Sequence, residues 1–326
     1  MSSQRSALMG PALRMGGLVL ALVLLVVVGV ATGGERFWSF GNFTTILSLA
    51  AVIGVVSIGM TFVITSGGID LSVGSVLGLA SIWASTLATQ YAAEDYGWWV
   101  IPVTAMAVGL AAGLINGALV AYGKVPAFIA TLAMLAAARG LAEIIAGRRT
   151  QIVTVEPFFD VFQAKPLGLP VIVWIFVLVA AAGWFLLNRT TFGRRTVAVG
   201  GNPEASRLAG IKIKRHTLYL YGLSGLAAGI GGVMILARTT AGSSTNGSLY
   251  ELDAIAAVVV GGTLLIGGRG TITGTVLGVL IFATLTNVFV LNNIDSSVQA
   301  IAKGAIIVAA VLLQQWFASR ERVSTT

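Results

Sequence analysis

Long apolar segments follow one another through most of this chain of 326 residues. Hydrophobic residues make up 56% of it and charged residues 10%, whereas soluble domains average about 25% charged residues. A helix needs about 20 mostly apolar residues to cross the hydrocarbon core of a bilayer. The sequence therefore predicts an all-α polytopic membrane protein with about ten transmembrane helices, and it excludes a soluble enzyme and a nucleic-acid-binding module. The ten predicted spans, of which one or two are expected to be re-entrant because they are short or broken by glycine, are residues 17–32, 44–65, 73–91, 98–122, 127–147, 170–188, 217–238, 251–266, 272–291 and 298–316.

The basic residues indicate how these spans are oriented. Cytoplasmic loops of membrane proteins are enriched in Lys and Arg. We therefore predict cytoplasmic termini and a single transmembrane domain over residues 1–326, with spans within about residues 17–316. The alternative for the first run is a cleavable signal peptide, because Arg5 and Arg14 precede it and small residues follow it. The most basic loop, residues 188–216, is then cytoplasmic; besides Glu204 it contains Arg189, Arg194, Arg195, Arg207, Lys212, Lys214 and Arg215.

A short capped helix is predicted within this basic loop. Asn202 is a good N-cap, Pro203 suits the first helical position, and Gly210 permits the left-handed conformation that ends a helix. At about 1.5 Å per residue the helix spans roughly 10 Å, so it must lie at the cytoplasmic surface. It is either part of a lipid-facing basic loop or a helix that docks into a soluble partner. The predicted segment consists of Asn202, Pro203, Glu204, Ala205, Ser206, Arg207, Leu208, Ala209 and Gly210.

Polar or charged residues interrupt the apolar pattern at four places. Gly67 and Gly68 end the second span, and Asp70 or Ser72 can satisfy free amides of the third, either as a structural cap or as part of a site that lines a path. Arg139 and Glu143 lie four residues apart on one face of the fifth span, which predicts an intramembrane ion pair. Glu251 and Asp253 open the eighth span, and Lys303 is a lone charge in the tenth span, for which the sequence assigns no partner.

Several kinds of site are excluded by composition. The chain has no Cys and one His, His216, so no thiolate metal site or histidine cluster is expected. No segment has the spacing of a phosphate-binding P-loop, and no catalytic triad or paired carboxylates stand out. We expect no catalytic residue and no cofactor in this chain, and any ATP that drives transport must be hydrolysed by another polypeptide.

Four blocks together resemble the permease subunit of bacterial ABC importers of the ribose/xylose type. They are residues 59–75, 123–132, 200–211 and 250–271, and they occur in the expected order. The resemblance implies a type II importer-like permease fold in the bacterial inner membrane, working as a pair of permease copies. It also implies an ATPase partner that binds ATP and Mg²⁺, an extracytoplasmic sugar-binding protein, and a coupling helix at about residues 202–211. The broader superfamily includes permeases for branched-chain amino acids and autoinducer-2, which remain alternatives.

The sequence leaves two other functions open. An ion-driven secondary carrier would use Asp70, Arg139, Glu143 and Lys303 as a relay, and a structural membrane scaffold would transport nothing. If the substrate is a sugar, its hydroxyls need polar partners along the path, because each lost hydrogen bond costs several kcal/mol. The candidate path residues are Thr61, Thr65, Ser66, Asp70, Ser72 and Asn287.

Overall fold

The structure is a computed structural model that describes residues 2–323, with the side chains of residues 15–306, 308, 309 and 312. Short 3-10 turns lie at Gly34–Arg36 and Pro166–Gly168, and two strands, β1 (Gln151–Ile152) and β2 (Ala241–Gly242), pair antiparallel. The rest of the regular structure is helical. Its helices are α1 (Ser2–Gly33), α2 (Phe40–Thr65), α3 (Val73–Ala84), α4 (Leu87–Tyr96), α5 (Val100–Ala121), α6 (Ala127–Ala146), α7 (Glu156–Phe162), α8 (Val171–Arg189), α9 (Thr191–Gly201), α10 (Pro203–Leu208), α11 (Ile213–Thr239), α12 (Tyr250–Val260), α13 (Ile272–Leu291) and α14 (Ser296–Val323).

Seven of the described helices are long and apolar enough to cross a membrane. They are α1, α2, α5, α6, α8, α11 and α13. The predicted all-α polytopic fold is therefore confirmed, and the predicted count of ten is approximate. The tenth predicted span, residues 298–316, falls within α14, but many of its side chains lie outside the described residues, so that span stays a prediction.

Two of the predicted spans do not form a single helix of membrane length, in line with the expectation that one or two of the ten do not cross. Residues 73–91 divide into α3 and α4, because Thr86 is extended and its hydroxyl accepts the amide of Thr89 at 3.3 Å, which starts a new helix. Residues 251–266 contain only α12, which ends before Gly262, a residue with φ of +91°. With 12 and 11 residues, α3 and α12 reach about half of a hydrocarbon core roughly 30 Å thick.

Helices α2 and α11 form the centre of the bundle, and α5 packs closely on α11. Glycines at the crossing of α5 and α11 bring the two backbones together. A Cβ added at Gly113 would lie 2.2 Å from the carbonyl oxygen of Tyr221, and one at Gly225 would lie 2.2 Å from that of Gly109. Small residues allow such close approach between helices in a bilayer, where there is no hydrophobic force between helices.

The two ends of the bundle carry different structures. Helix α11 has 27 residues and is about 40 Å long. Helices α9 and α10 lie just before its first residue, whereas β2 lies just beyond its last and pairs with β1. The strands are held to α4 by Gln90, whose side chain donates to the carbonyl of Ile152 at 3.0 Å and accepts the amide of Thr154 at 2.8 Å. We call these the α10 end and the strand end.

Candidate functional site

The short helix predicted in the basic loop is present as α10. The Asn202 side chain accepts the amide of Ala205 at 2.9 Å, Pro203 occupies the first turn, and Gly210 has φ of +83°. Each capping role expected from the sequence is therefore confirmed, while the role of the segment in coupling stays a prediction.

The surface of α10 combines charge with an exposed apolar residue. Arg207 Nε donates to Glu204 Oε2 at 3.1 Å, and this bond lowers the pKa of the Glu204 carboxyl below its ordinary value because it stabilises the carboxylate. Leu208 is 76% exposed, whereas Ser206 is buried against the rest of the chain. A capped helix that is fixed on one side and offers Leu208 and an ion pair on the other has the features of a docking element.

The chain leading into α10 touches the turns that follow α2 and α12. Gly200, near the end of α9, has no room for a side chain, because an added Cβ would lie 1.9 Å from the carbonyl oxygen of Thr65. That same carbonyl accepts the amide of Gly268 at 2.9 Å. Three segments thus meet backbone to backbone: the end of α9, the turn after α2 and the turn after α12.

Asp70 lies at the centre of a buried hydrogen-bond network. Its Oδ1 accepts the Ser72 amide at 3.0 Å and the Ser72 hydroxyl at 2.6 Å, while Oδ2 accepts the Ser224 hydroxyl at 2.8 Å. Asn116 Nδ2 donates to the Ser72 hydroxyl at 2.9 Å. The carboxylate therefore fixes the turn between α2 and α3 against α5 and α11. The Ser72 side chain makes no cap bond to α3 because it is engaged with Asp70.

The other candidate path residues lie in two separate places. Near the α10 end, the hydroxyls of Thr61 and Thr275 are 2.8 Å apart, and the Thr65 and Ser66 hydroxyls donate to carbonyls within their own helix end. Asn287, near the end of α13, exchanges two hydrogen bonds with the side chain of Asn42, at 2.7 and 3.1 Å.

All six candidate path residues are buried or half-buried and bond to groups of the same chain. The structure brings Asp70 and Ser72 together and keeps Asn287 apart from them. Contact with a solute would require the helices to separate, so the path assignment stays a prediction.

The predicted ion pair between Arg139 and Glu143 is corrected by the structure. Arg139 Nη1 donates to the carbonyl oxygens of Ser244 and Asn246, the latter at 3.1 Å. Gly78 leaves room for the guanidinium, since a Cβ there would lie 3.1 Å from Arg139 Nη1. Glu143 instead lies 3.9 Å from Arg148, beyond the end of α6, with both side chains largely exposed.

A charge pair that the sequence did not predict joins α12 to α14. Lys303 Nζ lies 3.0 Å from both carboxylate oxygens of Asp253, and the two side chains are 21% and 12% exposed. They border a cavity of about 340 Å³ between α2, α12, α13 and α14. In the sequence, only the acid in the eighth predicted span and the unassigned lysine in the tenth could have pointed to this pair.

Seven membrane-length helices, two apolar helices of about half that length and a capped surface helix define the class of multi-pass membrane proteins. The chain belongs to the family described as the permease component of the branched-chain amino acid transport system, whose model matches residues 42–311.

The chain is also similar to curated permeases along nearly its full length. It is 38% identical over 299 residues to the ribose import permease protein RbsC of Escherichia coli (strain K12), covering 90% of this chain and 92% of that protein. It is 40% identical over 305 residues to RbsC of Bacillus subtilis (strain 168), covering 92% of each. It is 36% identical over 309 residues to the L-arabinose transport system permease protein AraH of Escherichia coli (strain K12), covering 92% of this chain and 90% of that protein. No solved structure matches the chain.

Proposed function

We propose that this chain is the permease subunit of an ATP-binding-cassette importer that carries a monosaccharide across the bacterial inner membrane. The observation that supports it most is similarity over about nine-tenths of the chain to permeases named for ribose and for L-arabinose. Both names refer to pentoses, which are small neutral sugars, so the proposed substrate is a monosaccharide and the proposal does not choose among them. An autoinducer-2 or branched-chain amino acid substrate is the alternative within the same family.

In this proposal a separate ATPase subunit, which binds ATP and Mg²⁺, supplies the energy for transport. The segment Asn202–Gly210 is the element of this chain that would contact it, because α10 is capped, lies in the most basic loop and exposes Leu208. By the positive-inside rule the α10 end then faces the cytoplasm and the strand end faces outward. An extracytoplasmic sugar-binding protein would dock on the strand end, and a second permease copy would complete the path.

The proposed cycle uses the contacts of this chain in sequence. Closure of the ATPase dimer would move α10, and Gly200 would pass this movement to the turns after α2 and α12. The helices around Thr61, Asp70 and Ser72 would then separate, and these hydroxyl and carboxylate groups would replace part of the sugar's hydration. A path of this kind must bind weakly, since a deep energy well would slow release.

Uptake of labelled pentoses and hexoses by a deletion strain tests the proposal. Expression of the wild-type chain should restore uptake of at least one sugar, and uptake should persist when an uncoupler removes the proton gradient while ATP is maintained. The Leu208→Asp variant should insert normally but lose most uptake and fail to co-purify with the ATPase. The matched Leu167→Asp variant, at a residue 89% exposed in the loop before α8, should still co-purify with it.

Two results would contradict this function. Loss of uptake on adding the uncoupler, with ATP unchanged, would indicate an ion-driven carrier. Unchanged sugar uptake in the deletion strain would favour a structural scaffold or a different substrate.

A further inference from the structure

A cavity of about 460 Å³ lies beside α10, where α9 and the start of α11 meet. Three Arg and Lys side chains line it, Arg195 from α9, Lys212 from the loop and Arg215 from α11, and His216 lies beside them. Phe192 and Tyr219 complete the wall on the membrane side. This cavity is separate from the Asp70 network and from the exposed surface of α10.

The positive charge in this cavity has no acidic counterpart in the described part of the chain. Glu143 pairs with Arg148, Glu204 with Arg207 and Asp253 with Lys303, and none of these pairs involves a residue that lines the cavity. Arg215 Nε donates to the Tyr219 hydroxyl at 2.6 Å, which orients the guanidinium without neutralising it. Three cations around one concave space form a site for an anion, and arginine suits phosphate because its planar fork makes paired hydrogen bonds.

An apolar groove continues from the same cavity along the membrane-length helices. Phe192 and Tyr219 also line a groove of about 250 Å³ between α5, α8 and α11, whose walls include Leu110, Leu114 and Leu223. Further along, a third cavity of about 190 Å³ shares its lining with this groove through Leu186, Leu223 and Leu226. Basic and apolar surfaces are therefore continuous and arranged end to end.

We propose that this surface binds an anionic phospholipid, with the phosphate among Arg195, Lys212 and Arg215 and one acyl chain in the groove. A soluble phosphate would use only the basic cavity, whereas a lipid uses both parts. Basic pockets between membrane helices at the cytoplasmic side are suited to anionic headgroups. The bound lipid would link α9 to α11, the two helices that flank α10, and so hold α10 at a fixed height above the membrane. This inference goes beyond the transport function and does not depend on which solute is carried.

Native mass spectrometry of the full-length chain tests the proposal. The detergent-purified protein is mixed with equal amounts of phosphatidylglycerol and phosphatidylcholine, and the retained lipid is counted. Phosphatidylglycerol should be retained preferentially, and each neutralised cation of the cavity should lower its affinity about fivefold. The variant with Arg195→Gln, Lys212→Gln and Arg215→Gln should therefore lose the preference. Lys212 is exposed, so the single Lys212→Gln variant should keep the fold and should lower phosphatidylglycerol affinity about fivefold.

A matched variant separates a built site from general attraction to basic surfaces. Lys124→Gln, Arg189→Gln and Arg194→Gln together remove the same charge outside the cavity lining and should leave retention unchanged. Leu223→Trp, which narrows the groove without altering charge, should lower retention. Equal loss in both triple variants, or complete displacement of the lipid by soluble glycerol 3-phosphate, would overturn the proposal.

Discussion

Asp253 and Lys303 are two opposite charges inside the helix bundle, 3.0 Å apart and mostly shielded from solvent. Removing a charge from water costs several kcal/mol, and the attraction of a close partner offsets much of that cost. The pair is therefore tolerated as a unit, whereas either charge alone would be strongly unfavourable.

Replacing one member of this pair should destabilise the protein more than replacing both. We expect Asp253→Leu or Lys303→Met to cost about 3–5 kcal/mol, and the double variant to recover most of it. Thermal stability of the detergent-purified chain, followed by size-exclusion chromatography, measures the effect. Glu143→Gln removes an ion pair that is exposed and 3.9 Å long, so it should change little. A double variant as unstable as the worse single variant would refute this account.

At the scale of single residues, the partners of the buried charges were the feature that the sequence predicted least well. Lys303 and its partner are 50 positions apart, and Arg139 donates to a carbonyl 105 positions away. Local spacing favoured Glu143 for Arg139, because residues four apart share a helix face. In the structure the Arg139 guanidinium lies instead in the space beside Gly78. That space exists only once α3 and α6 have packed together.

At the scale of elements, the sequence predicted a helix well when the residues that start and end it lie next to it in the chain. Helix α10 was predicted from its caps because Asn202, Pro203 and Gly210 act within a few residues of the helix they bound. One or two broken spans were expected, but the ends of α3 and α12 were not placed, because apolar residues continue past Thr86 and Gly262 and hydropathy alone does not detect a change in backbone direction.

The crossing of α5 and α11 depends on the absence of side chains. Gly113→Leu should prevent the close approach and cost about 1–3 kcal/mol or more, because its Cβ would overlap the backbone of α11. The matched Gly140→Leu variant in α6 meets no atom within 4 Å of its Cβ and should keep wild-type stability. Thermal melting of both purified variants measures the difference. Equal stability of the two would show that this crossing does not require glycine.

At the scale of the whole molecule, we propose that a separate ATPase drives this permease from the cytoplasm through α10. Hydropathy and charge predicted the multi-pass fold and the surface position of α10, because both depend on the bilayer as a solvent. How copies of the chain assemble depends on surfaces that a single sequence does not identify.

Cysteine labelling tests on which side of the membrane α10 lies and whether the ATPase covers it. The chain contains no cysteine of its own, so each introduced thiol is the only one present. A Leu167→Cys variant and a Leu208→Cys variant each place one thiol at an exposed position, the first before and the second after the proposed membrane crossing by α8. With a membrane-impermeant maleimide, Leu167→Cys should react in intact spheroplasts. Leu208→Cys should react only after the membrane is opened, and it should be protected when the ATPase is co-expressed. Labelling of Leu208→Cys from outside, or labelling unchanged by the ATPase, would contradict the account.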